Sequence, residues 1–448
     1  MIDLPSNTTR FRDLADRLRS GYWFLPMLMA VGGMAGALVA TAIDSTYFGQ
    51  SLVWLTPNAA LDTASFRNLA QLIATASLAF LGVLFSIMLV PLSIAATQLG
   101  PPVLRTFMRN TGTQLVLGLF IGNTVFALTL LAVVPEWTAL PPSLSAALMF
   151  VLFLFSIAVL VYFIHEIARS LQASTVIGRL SDELQGDIGR ELRHRPARGP
   201  DPAGAETQRA TIMATGIPIP SRQEGYIRAI DFEGLLQLAE AYHTTLALRF
   251  EPGDFVMNRD ALVYAAAATP VDEALADGVN RQFLLGEYRT ITQDVEFGLL
   301  ALVSVAVRAL SPAINDPFTA IMCVQRLGAA LALIAECDEP THHFFDAQGM
   351  ARVLGEPDHF HEYADLCFHQ IRQYGRGSTE VLIALLVAIG RVAAHVDSEE
   401  HRMVLRLHAD LIDHDARAGG LTEYDATRVR VQYDHTMAEM DRLSGETE

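Results

Sequence analysis

Four long runs of apolar residues occupy most of the first third of the chain. Each is about 20 residues or longer, the length that an α-helix needs to cross the hydrocarbon core of a bilayer. None of them contains Asp, Glu, Arg or His. The runs are Tyr22 to Ile43, Leu69 to Thr97, Gln114 to Val134 and Leu144 to Ile164. This pattern predicts an α-helical membrane protein with four transmembrane helices.

The rest of the chain has the mixed polar and apolar pattern of a water-soluble domain. Residues 194–222 are rich in Pro, Gly, Ala and Thr and predict a linker. Strands are predicted at Tyr226 to Ile230 and Thr245 to Phe250, on either side of a helix from Phe232 to Ala241. From Thr292 onward helical periodicity prevails. The expected fold is a four-helix membrane region followed by a cytoplasmic α+β domain that is mostly helical.

These patterns predict five segments. They are a cytoplasmic N-terminal segment (1–21), a four-helix transmembrane domain (22–166), a connecting helix and linker (167–222), a small barrel-like α/β module (223–290) and a cytoplasmic helical domain (291–448). The PGDFV turn in the fourth segment is similar to the hairpin of small biotinyl or lipoyl barrels.

Charge is distributed unevenly between the two parts. Residues 1–170 contain eight Arg and seven acidic residues, whereas 24 Arg and 42 acidic residues follow in 171–448. Such an acidic soluble part repels phosphate backbones, so we expect no nucleic-acid partner. The chain contains no lysine, which excludes Schiff-base chemistry and attached lipoate or biotin, and no cofactor is expected.

Arginine placement predicts the orientation in the membrane. Arginines flank one side of the predicted bundle, at Arg10 to Arg19, Arg105, Arg109, Arg169 and Arg179. The opposite loops contain Arg67 with Asp44, Asp62 and Glu136. The positive-inside rule therefore predicts a multi-pass inner-membrane protein with both termini in the cytoplasm and the lipid bilayer as a partner.

Small and hydroxyl-bearing residues follow one face of the second predicted span. They recur at spacings of three, four and seven, at Thr75, Ala79, Gly82, Ser86, Ser93 and Thr97. Two interpretations stay open: close helix packing, or an uncharged, weakly polar pore lining. Asn123, in the middle of the third span, needs a hydrogen-bond partner or a wet cavity and is a second candidate for the lining. The spans contain no carboxylate, which disfavours an ion-driven pump.

Two turns in the helical part are candidate ligand sites. SPAINDPFTA contains Asn315 and Asp316 close to Arg308, and its two polar-Pro pairs predict two capped helix N-termini that could together hold an anion. In the second turn, Arg376 and Ser378 belong to a Gly-Arg-Gly-Ser sequence that could bind phosphate. Ordinary helix capping is the simpler explanation of both turns.

Enzymatic chemistry has little support in the sequence. His361, Asp365 and His369 share one helical face, but HExxH, CxxC and GxSxG patterns are missing, so no metal site is assigned. Cys323 and Cys337 lie in apolar helical sequence, which is typical of unreactive core thiols. We expect a protein that is not an enzyme.

Several segments together resemble the bacterial membrane-protein family labelled domain of unknown function 2254. They are FSIMLVPLSIAATQLGPPVLRTFMRN, IHEIARSLQ, GYIRAID, PGDFV, RTITQDVEFG, RALSPAINDPFTA and QIRQYGRGS. The resemblance covers nearly the whole chain and implies a four-helix membrane region joined to a cytoplasmic domain. The family has no established activity, so the resemblance implies no catalytic residue.

Two functions are compatible with these features. The first is a homo-oligomeric inner-membrane channel or passive pore for cations or small solutes, gated by its cytoplasmic domain. The alternative is a membrane-tethered sensor or scaffold that binds a small cytoplasmic ligand or a partner.

Overall fold

The computed structural model divides the chain into two compact units, Met1–Gln172 and Ala173–Glu448. The residues it describes are 23–46, 63–94, 111–134, 143–170, 172–191, 202–267, 270–290, 293–337, 342–357, 359–418 and 420–445. The predicted N-terminal segment lies outside them.

The described residues of the first unit form a bundle of four long helices. They are α1 (Phe24–Thr46), α2 (Thr63–Ile94), α3 (Thr111–Val133) and α4 (Ser143–Ser170). α3 is central, because it packs against the other three helices. Half of the residues in its membrane-spanning stretch are buried, whereas the buried share of that stretch is at most 28% in α1, α2 and α4. The membrane region is therefore organised around α3.

Glycines set the close contact between α1 and α3. A Cβ atom on Gly33 would overlap the carbonyl oxygen of Gly122, and one on Gly122 would lie 2.8 Å from the carbonyl oxygen of Met29. Gly118 also packs against Met29, whereas a Cβ on Gly32 would meet nothing within 4 Å. The GxxxG spacing in α3 thus serves packing within one chain.

Two charged side chains close the helix ends at one end of the bundle. Asp44, near the end of α1, accepts hydrogen bonds from the backbone N–H groups of Leu144 (3.0 Å) and Ser145 (2.9 Å) and from the Ser145 hydroxyl (2.7 Å). Arg67 in α2 donates to the carbonyl oxygens of Leu131 (3.1 Å) and Val134 (2.7 Å) at the end of α3. Each charge has the sign that the helix dipole favours at that terminus.

The second unit contains both sheets and the remaining helices of the part of the chain that the structure describes. Its elements, in chain order, are α5 (Ala173–Glu191), α6 (Pro202–Thr215), β1 (Ile217–Pro220), β2 (Gly225–Ile230), α7 (Phe232–Ala241), β3 (Leu246–Leu248), β4 (Phe255–Val256), β5 (Ala261–Ala265), α8 (Glu273–Gln282), β6 (Phe283–Gly286), α9 (Val295–Ala309), α10 (Pro317–Ala335), β7 (His343–Phe345), β8 (Ala351–Leu354), α11 (Phe360–Tyr374), α12 (Thr379–Ala393), α13 (Glu399–Ala418) and α14 (Glu423–Gly445).

The strands form two small sheets. The five-stranded sheet has the order β1-β5-β3-β8-β7 and is antiparallel except where β3 pairs with β8. The three-stranded sheet has the order β4-β2-β6 and is antiparallel throughout. The apolar inner residues of both sheets share one core with α7 and α8, including Leu235, Leu262, Val279 and Val353.

Two features of this module differ from the sequence prediction. Residues 202–220, predicted as part of a linker, form α6 and β1, because Ala205, Ile212 and Ile219 are buried against the sheet. Residues 343–354, expected to lie in a helical region, form β7 and β8 and complete the five-stranded sheet. Both strands are at most four residues long, too short for a periodic signal. They form because β8 pairs with β3 and β7 pairs with β8.

Five described helices are long and apolar enough to cross a membrane, rather than the four predicted. The fifth is α10, in the second unit. It packs against α5, α9, α11 and α12 of that unit, and just over half of its residues are buried there.

Candidate functional site

The hydroxyl-bearing face of α2 points away from its own bundle. Thr75, Gly82, Ser86 and Ser93 are all exposed in the single chain, whereas Thr97 lies outside the described residues. The described buried residues of α2 are Thr63, Phe66, Ala70, Ile73, Ala74, Ser77, Leu81 and Leu84. At roughly 100° of rotation per residue, the two sets point about 160° apart. We call Thr75, Ala79, Gly82, Ser86 and Ser93 the outer ribbon.

Two hydroxyl groups of the outer ribbon bond to their own helix. Thr75 donates to the carbonyl oxygen of Gln71 (2.8 Å), and Ser86 donates to that of Gly82 (3.1 Å). Their protons are therefore satisfied inside the helix, while their oxygen lone pairs still face outward. Such a surface tolerates a neighbouring helix and can also accept hydrogen bonds from water.

Asn123 does not belong to the outer ribbon. It is 3% exposed inside the bundle, and its amide nitrogen donates to the hydroxyl of Ser77 at 3.3 Å. Its Oδ1 atom has no hydrogen-bond partner among the described residues. The structure thus places this residue between α2 and α3, separate from the other pore-lining candidates.

The SPAINDPFTA turn contains one helix start rather than the two predicted. Asp316 caps α10 by accepting hydrogen bonds from the backbone N–H (3.2 Å) and the hydroxyl (2.6 Å) of Thr319. Ser311 instead follows α9, and its hydroxyl donates back to the carbonyl oxygen of Arg308. Asn315 adopts φ +49° in the connecting turn. The expected pair of converging N-termini is therefore not formed, because residues 311–316 are a turn.

The Gly-Arg-Gly-Ser turn likewise has a structural role. Gly375 caps the end of α11, and Ser378 precedes α12 without a side-chain capping bond. Arg376 is half exposed and lies 3.5 Å from Asp415, which also pairs with the buried Arg372. These side chains hold α11 to α13.

A polar cleft of about 250 Å³ lies in the second unit. Its walls come from the β3–β4 turn, the loop before α9, and the segments before α11 and in its first turn. His342, Gln293 and Tyr363 line it together with six carboxylates and two arginines. The carboxylates are Glu251, Asp254, Asp294, Glu296, Glu356 and Glu362, and the arginines are Arg249 and Arg289. We call this site the acidic cleft.

Arg289 and Asp294 organise one wall of the acidic cleft. Arg289 makes two hydrogen bonds of 2.8 Å to the two carboxylate oxygens of Asp294, which also caps α9 through the backbone N–H of Phe297. Burial raises the pKa of the Asp294 carboxyl, and Arg289 offsets only part of this increase. The bidentate pair keeps a nearly buried carboxylate in place beside the cleft.

Gln293 attaches the same loop to the three-stranded sheet. Its backbone has φ +57°, and its side-chain amide accepts from the N–H of Ile230 (2.9 Å) and donates to the carbonyl of Ile230 (3.3 Å). The side chain thus imitates a neighbouring strand, which explains why a non-glycine residue holds this strained conformation.

No sequence pattern identifies this cleft as a whole. Four of its residues, Arg289, Gln293, Asp294 and Glu296, lie close together in RTITQDVEFG. The other carboxylates and His342 come from segments up to about 70 residues away, and no local pattern joins them.

Comparison with known proteins identifies the family. The chain matches the family described as predicted membrane protein, domain of unknown function 2254, over residues 19–391. The protein belongs to this family. An uncharacterised protein of Mycobacterium bovis and one of Mycobacterium tuberculosis are each 27% identical over 441 residues, covering 96% of this chain and 82% of theirs. No solved structure matches the chain significantly.

Proposed function

We propose that the protein is a homo-oligomeric inner-membrane channel or passive pore for cations or small solutes, gated by its cytoplasmic unit. The observation that supports this proposal is the direction of the outer ribbon. Where a helix faces only lipid, large apolar side chains make better contacts with the hydrocarbon than small or hydroxyl-bearing ones do. Lipid alone therefore does not explain small and hydroxyl-bearing residues at the centre of the exposed side of α2. A neighbouring copy of the protein accounts for them.

The composition of α2 suggests what such an assembly conducts. Among its residues the only charged side chain is Arg67, which bonds to the end of α3. A path lined by α2 from several copies is then weakly polar and uncharged along its length. The negative charge of the second unit would raise the local concentration of cations on the cytoplasmic side of this path, which favours cations over anions.

In this proposal α10 belongs to the soluble core and does not span the membrane. Helices of the same unit surround it, and its neighbours α5 and α11 carry many charged residues. Four spans then leave both termini on the cytoplasmic side, as the arginine distribution predicts.

Flux through the purified full-length protein in liposomes tests the channel. Ser86→Leu is expected to reduce cation flux at least about tenfold by filling the path, while Ser86→Ala keeps the space and retains most of the flux. Leu78→Phe, on the exposed side of α2 but off the outer ribbon, is the matched control. Unchanged flux in Ser86→Leu, or no flux in the wild-type protein under any voltage or osmotic gradient, would refute the proposal.

The acidic cleft supports a second candidate function, a membrane-tethered sensor of a positively charged small ligand. Carboxylates outnumber cations there by six to two, and Arg289 already pairs with Asp294. Calorimetry of the full chain in detergent with spermidine as the probe tests this candidate. Glu362→Gln is expected to weaken binding several-fold, and Glu400→Gln, on the exposed start of α13, serves as the control. If spermidine does not bind, the proposal of a cation sensor is wrong.

A further inference from the structure

β6 forms an open edge of the three-stranded sheet. On one side it pairs with β2 through Phe283, Leu284, Leu285 and Gly286. On the other side no described strand pairs with it. An unpaired strand edge presents a row of N–H and C=O groups that can bind another strand, and proteins usually protect such edges.

The other sheet edges of the second unit are protected. β1 contains Pro218 and Pro220, which lack an N–H group. β4 has only two residues, and β7 has three with an irregular register. β6 is four residues long, contains no proline and keeps a full set of N–H donors. Among the described strands, this edge is the one best suited to pairing with another chain.

An exposed apolar surface continues from this edge across the outer face of the sheet. Leu284 is 40% exposed and Phe255 is 51% exposed, and the Phe255 ring contacts Tyr226 edge-to-face at 5.0 Å. Phe283 and Leu285 point the other way, into or against the core. The outer face thus offers an apolar area beside the open strand.

We propose that β6 pairs with β6 of a second copy of the chain, in antiparallel orientation about a two-fold axis. The charges that flank the strand specify this occupant and this direction. Arg281 precedes β6, Glu287 follows it, and both are exposed. Antiparallel pairing brings Arg281 of one copy beside the partner subunit's Glu287 at both ends, whereas parallel pairing would bring like charges together.

The backbone direction defines the register. The carbonyl of Gln282 accepts from the N–H of Asp231, so it points toward β2. The backbone groups of successive strand residues alternate in direction, so those of Phe283 and Leu285 point outward. Phe283 can then form hydrogen bonds with Leu285 of the partner subunit, and Leu285 with Phe283 of the partner subunit. Leu284 then lies on the axis, opposite Leu284 of the partner subunit, in a pair without hydrogen bonds.

This inference rests on the oligomer of the proposed function and names one of its contacts. The contact itself requires no conduction, so cross-linking and flux give separate answers. A dimer joined at β6 without flux would leave the contact in place and remove the channel.

Disulfide trapping in native membranes tests the contact. In Leu284→Cys the two thiols face each other with Cα atoms about 4.5 Å apart, within the range that a disulfide bridges. We expect a covalent dimer after mild oxidation. The wild-type chain, whose Cys323 and Cys367 are buried, gives the background. Leu407→Cys, at an exposed leucine of α13, is the matched control. No dimer in Leu284→Cys, or equal dimer in Leu407→Cys, would overturn the proposal.

A charge exchange tests the orientation. In the Leu284→Cys background, Arg281→Glu or Glu287→Arg alone places like charges together at both ends and should weaken dimerisation roughly 5- to 30-fold. The double variant Arg281→Glu, Glu287→Arg restores opposite charges and should recover the cross-linking yield. If the double variant stays as weak as the single ones, the antiparallel register is wrong.

Discussion

The hydrogen bonds from α4 to Asp44 provide a sharp test of how the membrane bundle is held together. The carboxylate accepts two backbone N–H groups and one hydroxyl at the start of α4, with distances from 2.7 to 3.0 Å. The donors come from positions 100 and 101 residues further along the chain. Asp44 therefore connects the end of α1 to a helix that is distant in sequence.

The cost of removing this carboxylate follows from two contributions. Loss of an N-capping side chain costs about 0.5–2 kcal/mol, and a charge at a helix N-terminus contributes up to about 2 kcal/mol where it is partly buried. The freed N–H groups lie at the end of the bundle, where water can partly solvate them. We therefore expect Asp44→Ala to lower the free energy of unfolding by about 2–3 kcal/mol.

Unfolding of the purified protein by SDS titration in mixed micelles, followed by circular dichroism, measures this difference. Ser45→Ala is the control, because its hydroxyl donates only to the carbonyl oxygen of Ala42 in the same helix. The control should change stability by less than about 0.5 kcal/mol. Equal stability of Asp44→Ala and Ser45→Ala would show that the capping interaction does not stabilise the bundle.

Three further perturbations test other parts of the structure. Gly122→Leu should destabilise the bundle by about 3 kcal/mol or more in the same titration, since it collides with the Met29 backbone, whereas Gly32→Leu, with open space around it, should be tolerated. Asp294→Ala should lower the free energy of unfolding of the second unit by about 3–5 kcal/mol, because Arg289 loses its bidentate partner. A decrease of less than about 1 kcal/mol in denaturant unfolding would contradict this structural role. Burial lowers the pKa of His408 from 6.5 to about 4, so between these pH values the unfolded chain binds a proton that the folded chain does not. The free energy of unfolding should therefore fall by roughly 3 kcal/mol as the pH decreases from 6.5 to about 4. His408→Leu should remove this part of the pH dependence and the exposed His414→Leu should not, as denaturation curves at several pH values will show.

The helical elements were largely predictable because their signals are local. The helix predicted from Phe232 to Ala241 forms with those bounds, and helices form over most of the residues predicted after position 292. The four apolar runs all contain long helices as well. Length, hydropathy and capping residues act within a few turns, so a single sequence reveals them.

The candidate sites were less predictable because they depend on distant contacts. The periodicity of α2 indicated a ribbon of small residues, but not whether it faces the bundle or the outside. Asn123, on the third span, is the second candidate for the pore lining, and it lies inside the bundle beside Ser77. The acidic cleft combines segments from residue 249 to residue 363, and no spacing rule relates them.

By itself the sequence determined the membrane-spanning character of the first unit, the acidic and mostly helical character of the second, and the absence of lysine chemistry, since composition and periodicity are properties of the chain alone. Only the tertiary structure decided which face of α2 is exposed, that Asp44 and Arg67 cap neighbouring helices, and that β6 is left with an open edge. Each of these outcomes depends on which partner a residue meets in space. That choice results from packing the whole chain at once, and neighbouring residues in the sequence do not encode it separately.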